Sequence, residues 1–215
     1  MMKKLMAAAL TACMLLSPVS AAADDTGNEE VSASSVTWEE ISSSEEGADV
    51  IREGDFYSFN EIAVSMWIPD SLKETELTKD DRDNGYIGYF QSEDGVRAAA
   101  VMYVNVGGEG LSSYKKELAE MDDVSAIRDM RINGIECISY DMKDADTSSI
   151  AFATKAGFIM EFSFAPMSDE DFSYIATIMA ASIQPSSTAP ASARSTEEAS
   201  EEDGGEEEDS GEEEV

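Results

Sequence analysis

The chain has 215 residues, 46 of them acidic and 14 basic, which gives a formal net charge of −32 with no histidine at all. A phosphate backbone is bound by displacing its counterions with Lys and Arg, so this balance argues against nucleic acid, and for the same reason against an anionic lipid surface. Without imidazole there is no His-based triad, no H-E-x-x-H zinc site and no imidazole base.

The opening MMKKLMAAALTACMLLSPVSAAADD has the three parts of a secretory leader. Lys3 and Lys4 form a positive start, and Leu5 to Leu16 is an apolar run too short to span a hydrocarbon core of about 30 Å. Pro18 breaks the helix, and Ala21-Ala22-Ala23 supplies the small residues of a cleavage site. Residues 1–23 are therefore expected to be removed, leaving a secreted or extracytoplasmic protein with no membrane span. A competing reading takes Leu10-Thr11-Ala12-Cys13 as a lipobox, with a lipid anchor at Cys13 tethering a membrane lipoprotein. The hydrophobic segment continues past Cys13 to a better-placed cleavage site, so secretion is preferred. After cleavage Cys137 is the one cysteine left, no intramolecular disulfide can form, and a packed core has to hold the domain.

Charge is unevenly spread. Residues 24–55 carry 11 acids and one Arg, residues 56–184 carry 23 acids and 10 bases, and residues 185–215 carry 12 acids and Arg194. Residues 24–50 read as an acidic flexible linker, with Val36, Trp38 and Ile41 as its large apolar exceptions and a short strand or docking segment as their role. Residues 51–184 read as a single globular domain. The stretch from Pro185 to Val215 lacks aromatics and is expected to be a disordered acidic tail, since it cannot bury enough surface to offset the entropy of ordering. Its plain role is a spacer, and its functional alternative a weak calcium- or partner-binding tail.

Within the domain, Phe56–Phe59 and Ala63–Ile68 alternate apolar and polar residues around Asn60-Glu61, as a hairpin does. Lys73–Asn84 is charged and loop-like. Tyr86–Gln91 and Arg97–Val104 form a second strand pair around Ser92-Glu93-Asp94-Gly95. Gly107-Gly108 break the chain before a helix near Ser112–Met121, with Tyr114, Leu118 and Met121 on one face. Ala126–Ile132 and Ile135–Met142 flank Asn133-Gly134, the strongest short hairpin signal, because both turn positions take positive φ. Ser149–Thr154 and Phe158–Phe164 flank Ala156-Gly157. Ser168 is placed to cap a last helix in which Phe172, Ile175, Ala176 and Met179 make an apolar stripe, with Asp171 near its positive end. The order implies an α+β fold, an antiparallel β-sheet with helices packed on it.

No motif supplies a catalytic, cofactor-binding or metal-ligating residue. Cys137, flanked by Glu136 and near Asp141, lacks the positive surroundings of a reactive thiol and reads as structural. Asp80-Asp81-Arg82-Asp83-Asn84-Gly85 fails the calcium-loop pattern, with Arg82 at the third position and Gln91 where a bidentate Glu is needed. Asp141, Asp144 and Asp146 fit turn chemistry. Gly107-Gly108-Glu109-Gly110 lacks the Lys and Ser/Thr of a phosphate loop. Trp38, Trp67, Tyr86, Tyr89 and Phe90 are candidates for a binding surface, with Trp67 and Phe90 better placed in the core.

The segments YSFNEIAVSMWIPDSL, the Asn133-Gly134 turn leading into IECISYDM, and FIMEFSFAP before a final helix ending ASIQ give Phe56–Ser182 a likeness of strand order and turn placement. By these it resembles the PsbP-like superfamily. The resemblance implies an α/β/α sandwich and a non-enzymatic binding or assembly role, and it brings no signature residue to any named position. The function expected is thus an exported, non-catalytic domain that binds a protein or cell-envelope component, with no cofactor. A secreted hydrolase using carboxylate or hydroxyl chemistry and a low-affinity calcium-binding protein are the alternatives.

Overall fold

The computed structural model describes residues 34–104, 110–155, 157–188 and 194–195. The expected leader, the lipobox at Cys13, residues 24–33, the glycines at 107 and 108 and most of the acidic tail lie outside them. The chain runs β1 (Ser34–Val36), α1 (Trp38–Ser42), α2 (Glu45–Ile51), β2 (Gly54–Phe59), β3 (Val64–Pro69), β4 (Leu72–Glu74), α3 (Lys79–Asp83), β5 (Tyr86–Ser92) and β6 (Ala98–Val104). It continues α4 (Gly110–Glu120), β7 (Val124–Ile132), β8 (Ile135–Met142), β9 (Thr147–Ala153), β10 (Ile159–Ala165), α5 (Glu170–Ala181), β11 (Gln184–Pro185) and β12 (Arg194–Ser195).

The fold is α+β. Eight strands make the main sheet in the order β1-β7-β8-β9-β10-β6-β5-β4, and a second sheet has the order β11-β3-β2-β12. The single sheet expected from alternation is thus two, because β2 and β3 pair with each other and bury nearly every side chain. Their residues have to be covered on both faces. Pairing is antiparallel except at two sheet edges, where β1 runs parallel to β7 and β12 parallel to β2. The β7–β8 hairpin turns on Asn133 (φ 49°) and Gly134 (φ 78°), the left-handed pair that lets a two-residue turn follow the twist of its strands.

The larger core lies between the main sheet and the layer formed by the second sheet and α5. There Phe59, Trp67, Phe90, Phe162, Phe172 and Met179 are all almost fully buried. Alternation then sends the intervening residues of β8, β9 and β10 to the opposite face. On that face Tyr114 and Leu118 of α4 pack with Ile138, Ala151 and Ile159.

Several expectations change. Residues 34–50, read as a flexible linker, carry β1, α1 and α2; Thr37 and Ser44 cap the two helices, and Trp38 packs edge-on against Phe56 at 5.5 Å. Polar composition there reflects caps and exposed faces, while Trp38, Ile41, Val50 and Ile51 reach the core. Lys73–Asn84 is not all loop. Leu72–Glu74 pairs with β5, and Thr78 and Asp81 form a reciprocal capping box that starts α3.

The expected tail begins inside the fold. Gln184 and Pro185 pair with β3, Ser186 donates its backbone N–H to Ala63 O at 3.0 Å, and Arg194–Ser195 lies beside β2. Backbone hydrogen bonds to a sheet edge hold Gln184 to Ser186 in place, a contribution that composition does not disclose. Asp169, and not Ser168, caps α5, accepting from the N–H groups of Asp171 and Phe172. Ser168 donates both its N–H and its hydroxyl to Asp146 instead. Met121 falls just beyond α4 and is 46% exposed. Among the described residues no helix is long and apolar enough to cross a membrane.

Candidate functional site: a groove beside helix α4

Helix α4 packs on β7 to β10, and on that face β6 and β5 stay open beside it. The uncovered side chains are those that alternation points away from the main core: Ala98, Ala100 and Met102 are half-buried, while Ala99 and Val101 between them are fully buried on the other side. A cavity of about 400 Å³ results, walled by α4 on one flank.

Strand register explains its shape. Tyr140, Ser149, Ser163, Ala100 and Tyr89 are direct neighbours across β8, β9, β10, β6 and β5. Four strand spacings separate the two tyrosines, about 19 Å. Small residues between large ones make a trough. The next row in register is Ile138, Ala151, Glu161, Met102 and Tyr86. In it the short Ala151 leaves room above the sheet for Tyr114 to descend from α4 onto Glu161.

The polar groups of the trough converge on Glu161, which is 7% exposed. The Tyr114 hydroxyl donates to its Oε2 at 2.5 Å, and Ser163 Oγ donates to its Oε1 at 3.2 Å. Behind these, Tyr140 and Tyr114 hydroxyls lie 3.3 Å apart, and the hydroxyls of Ser149 and Ser163 lie 2.8 Å apart. Burial, then the charge of Glu161 and the bond to it, pushes the Tyr114 phenol far above the ordinary tyrosine range. The Tyr140 phenol is raised by the same causes in the same order. Both phenols therefore stay protonated and act as donors, never as bases. No Lys or Arg stands among the described residues that line the cavity. Of the cations on neighbouring β7 and α4, Lys115 pairs with Asp129, Arg128 with Asp141 and Arg131 with Glu136, while Lys116 is exposed and does not line the cavity.

This arrangement holds charge better than it moves protons. Each oxygen of Glu161 already accepts from one hydroxyl, which fixes the carboxylate in place and leaves its second lone pairs open to a further donor. The donor set, the buried Glu161 among neutral hydroxyls with the exposed Glu117 as the other carboxylate of the lining, is also poor for calcium, which takes six to eight oxygen ligands. Among the described residues no three His, Cys, Asp or Glu side chains gather as a metal group.

The residues singled out in the sequence fall mostly elsewhere. Tyr86 and Tyr89 do line the groove, whereas Trp67 and Phe90 are core residues at 1% and 2% exposure. Cys137 is 2% exposed and burial pushes its thiol up to about 12, an inert structural cysteine. Asp81 accepts from the N–H and hydroxyl of Thr78, and Asp83 pairs with Lys79, so the Asp80–Gly85 run spends those two carboxylates within its own helix. Asp141 pairs with Arg128, Asp146 receives Ser168, and Asp144 is exposed. Glu161, Tyr114, Tyr140, Ser149 and Ser163 were not recognised as a site. The available signal was Glu161 itself, an acid in the middle of the otherwise apolar run FIMEFSF.

Fold and groove together define a small α+β domain with one built-in polar trough. The chain is similar to the solution structure of cyanobacterial PsbP (CyanoP) from Synechocystis sp. PCC 6803, at 11% identity and a TM-score of 0.44, over 62% of this chain and 92% of that one. At that level the likeness carries no residue of the groove across. No family model matches the chain, and no curated protein matches it.

Proposed function

We propose that the chain is an exported, non-catalytic binding domain whose ligand is a small molecule seated in the groove between α4 and β5. The observation that carries this reading is the trough itself: about 400 Å³, within the range of small-ligand sites, with small residues on its floor and a pre-arranged polar cluster at one end. Export rests on the leader-like residues 1–23, and the acidic segments on either side of the domain serve as solvating spacers. The non-catalytic reading rests on each oxygen of Glu161 being engaged by one hydroxyl, from Tyr114 and from Ser163, and on both phenols staying protonated.

Amide chemical-shift mapping on the full chain tests it, with n-hexylammonium, n-hexanol and n-hexanoate as probes. At least one probe is expected to shift amides of β10, β6 and α4 saturably, and to lose that effect in Ala100→Trp, which fills the trough floor. If none of the three moves those amides, or if the shifts survive in the filled variant, the groove is not a binding site.

A further inference from the structure

We infer that the ligand of this groove carries a primary ammonium on an apolar stem, with Glu161 as its counter-charge; this rests on the groove being the binding site. The case begins with a count of donors and acceptors at the closed end of the trough. Tyr114, Tyr140, Ser149 and Ser163 bring one hydroxyl proton each, and the hydrogen bonds order those protons toward or behind Glu161. A carboxylate offers about four acceptor sites and each hydroxyl oxygen two lone pairs. These bonds leave acceptor capacity at Glu161 and on the hydroxyl oxygens, and none of the four hydroxyl protons is left to fill it. A ligand complementary to that end is a donor, and one with several protons.

Charge selects further. Glu161 is a buried carboxylate with donors but, among the described lining residues, no cation beside it, and Glu117 lines the same cavity. Burying a charge is costly unless it is paired, so an incoming cation supplies the partner the fold withholds. An anion entering the same space would meet two carboxylates and no compensating base.

Shape gives the stem. From Met102, the direct neighbour of Glu161 across β10 and β6, the walls continue through Met121, Tyr86 and Tyr89 over a floor of Ala98 and Ala100, a surface of methyls, thioethers and ring faces. Such walls suit an alkyl chain, and ring faces add attraction for a cation passing along them. A guanidinium is wide and planar, whereas an ammonium is compact with three rotatable donors. Tyr114 lies over Glu161 and narrows the access, which suits the smaller head. A quaternary head brings charge but no protons.

The occupant is a free alkylamine, not a lysine of a protein partner, because the cavity has small-ligand volume and is walled on one side by α4. The test uses the full chain and five probes: n-hexylammonium, n-hexanol, n-hexanoate, n-hexyltrimethylammonium, and a short peptide with one lysine. Hexylammonium is expected to bind at least about tenfold tighter than each of the others, the worth of one charge-assisted hydrogen-bonded contact. Glu161→Gln, an isosteric change, is expected to remove that preference and leave hexanol unaffected; unchanged binding of hexanol also reports that the variant is folded. Hexanol or hexanoate matching hexylammonium within the groove would leave the binding site standing and refute the cation. Hexyltrimethylammonium binding equally would refute the primary head, and the lysine peptide binding more tightly would refute the free amine. Hexylammonium shifting only amides outside the groove, with the effect vanishing in salt, would reduce the interaction to the acidic surface and overturn the inference.

Discussion

The side-chain oxygen of Asn133 accepts a hydrogen bond at 2.8 Å from the backbone N–H of Trp38, 95 residues earlier in the chain. The amide nitrogen of the same side chain donates to Ala181 O at 2.8 Å and Ile183 O at 2.9 Å. One turn residue thus ties the start of α1 and the end of α5 to the tip of the β7–β8 hairpin. Its φ of 49° is a conformation that Asn tolerates and most residues do not.

Two substitutions separate the turn from the staple. Asn133→Gly keeps the left-handed backbone and deletes all three side-chain bonds, with an expected loss of about 2–3 kcal/mol in urea unfolding. Asn133→Ala adds the backbone penalty, about 1 kcal/mol more. A glycine variant within about 0.5 kcal/mol of wild type would mean that the side chain ties nothing together.

The segment before β2 is the next test of that arrangement. Trp38, Ile41, Val50 and Ile51 pack on the main core, and Trp67 Nε1 donates to Ile51 O at 3.0 Å. A chain begun at Ile51 loses β1, α1 and nearly all of α2. It is expected to be less stable than one begun at Ser34 by about 3 kcal/mol or more, since each large apolar side chain buried contributes about 1.5–3. Equal urea midpoints for the two truncations would show that residues 34–50 only decorate the domain.

What the sequence discloses, and what it hides, follows from range. The β7–β8 hairpin was legible because Asn133-Gly134 states its geometry locally, and α5 because Phe172, Ala176 and Met179 repeat at helical spacing. The second sheet was not, since nothing local says that β2 and β3 pair apart from β5 and β6. The order of residues 34–50 was masked by Ser and Glu, although Thr37 with Glu40 is itself a helix-start signature. The groove was the least legible feature. Tyr140, Ser149, Ser163, Ala100 and Tyr89 meet only through the register of five strands.

Close packing around β2 and β5 predicts two graded glycine effects. A Cβ on Gly88 would stand 2.6 Å from the ring of Phe59, a residue with no exposed surface and rings of Tyr57, Phe90 and Phe162 around it. A Cβ on Gly54 would stand 2.3 Å from Ile68 O and 2.8 Å from Pro69 Cα, both backbone atoms. Overpacking costs about 1–3 kcal/mol where side chains can give. Gly88→Ala is expected in that range and Gly54→Ala above it by thermal or urea unfolding; the reverse order would contradict the packing.

Four groups are raised among the described residues, Tyr174 among them by partial burial and Glu46, and the three buried ones dominate alkaline stability. Cys137 is pushed from 9.0 up to about 12 by burial, and Tyr114 and Tyr140 are raised from 10.0 by burial and by Glu161. Each binds its proton more tightly folded than unfolded, so its stabilisation is whole below the unfolded pKa and is lost as pH rises toward the folded one. Unfolding free energy is expected to be insensitive to these groups below about pH 9 and to fall between about pH 9 and 12. Cys137→Ala should shallow the early part of that fall. In the folded protein at pH 8 the thiol should react with a disulfide reagent far more slowly than in urea. Rapid native labelling would contradict its burial.

The bond between Tyr114 and Glu161 makes the sharpest claim about the groove's own energetics. Removing the donor with Tyr114→Phe leaves a buried carboxylate short of a partner, at an expected cost of about 1–3 kcal/mol. Tyr140→Phe removes a hydroxyl that meets Tyr114 at 3.3 Å and should cost less. In the double variant Tyr114→Phe with Glu161→Gln the charge has gone, so the penalty for the missing phenol should shrink, a coupling of about 1 kcal/mol or more in a double-mutant cycle. Additive losses would mean that the phenol and the carboxylate are neighbours without dependence, and that Glu161 is held by packing. A coupled pair would instead mark Glu161 as a charge the fold keeps in place through its hydroxyl donors, leaving its remaining acceptor sites turned to the groove.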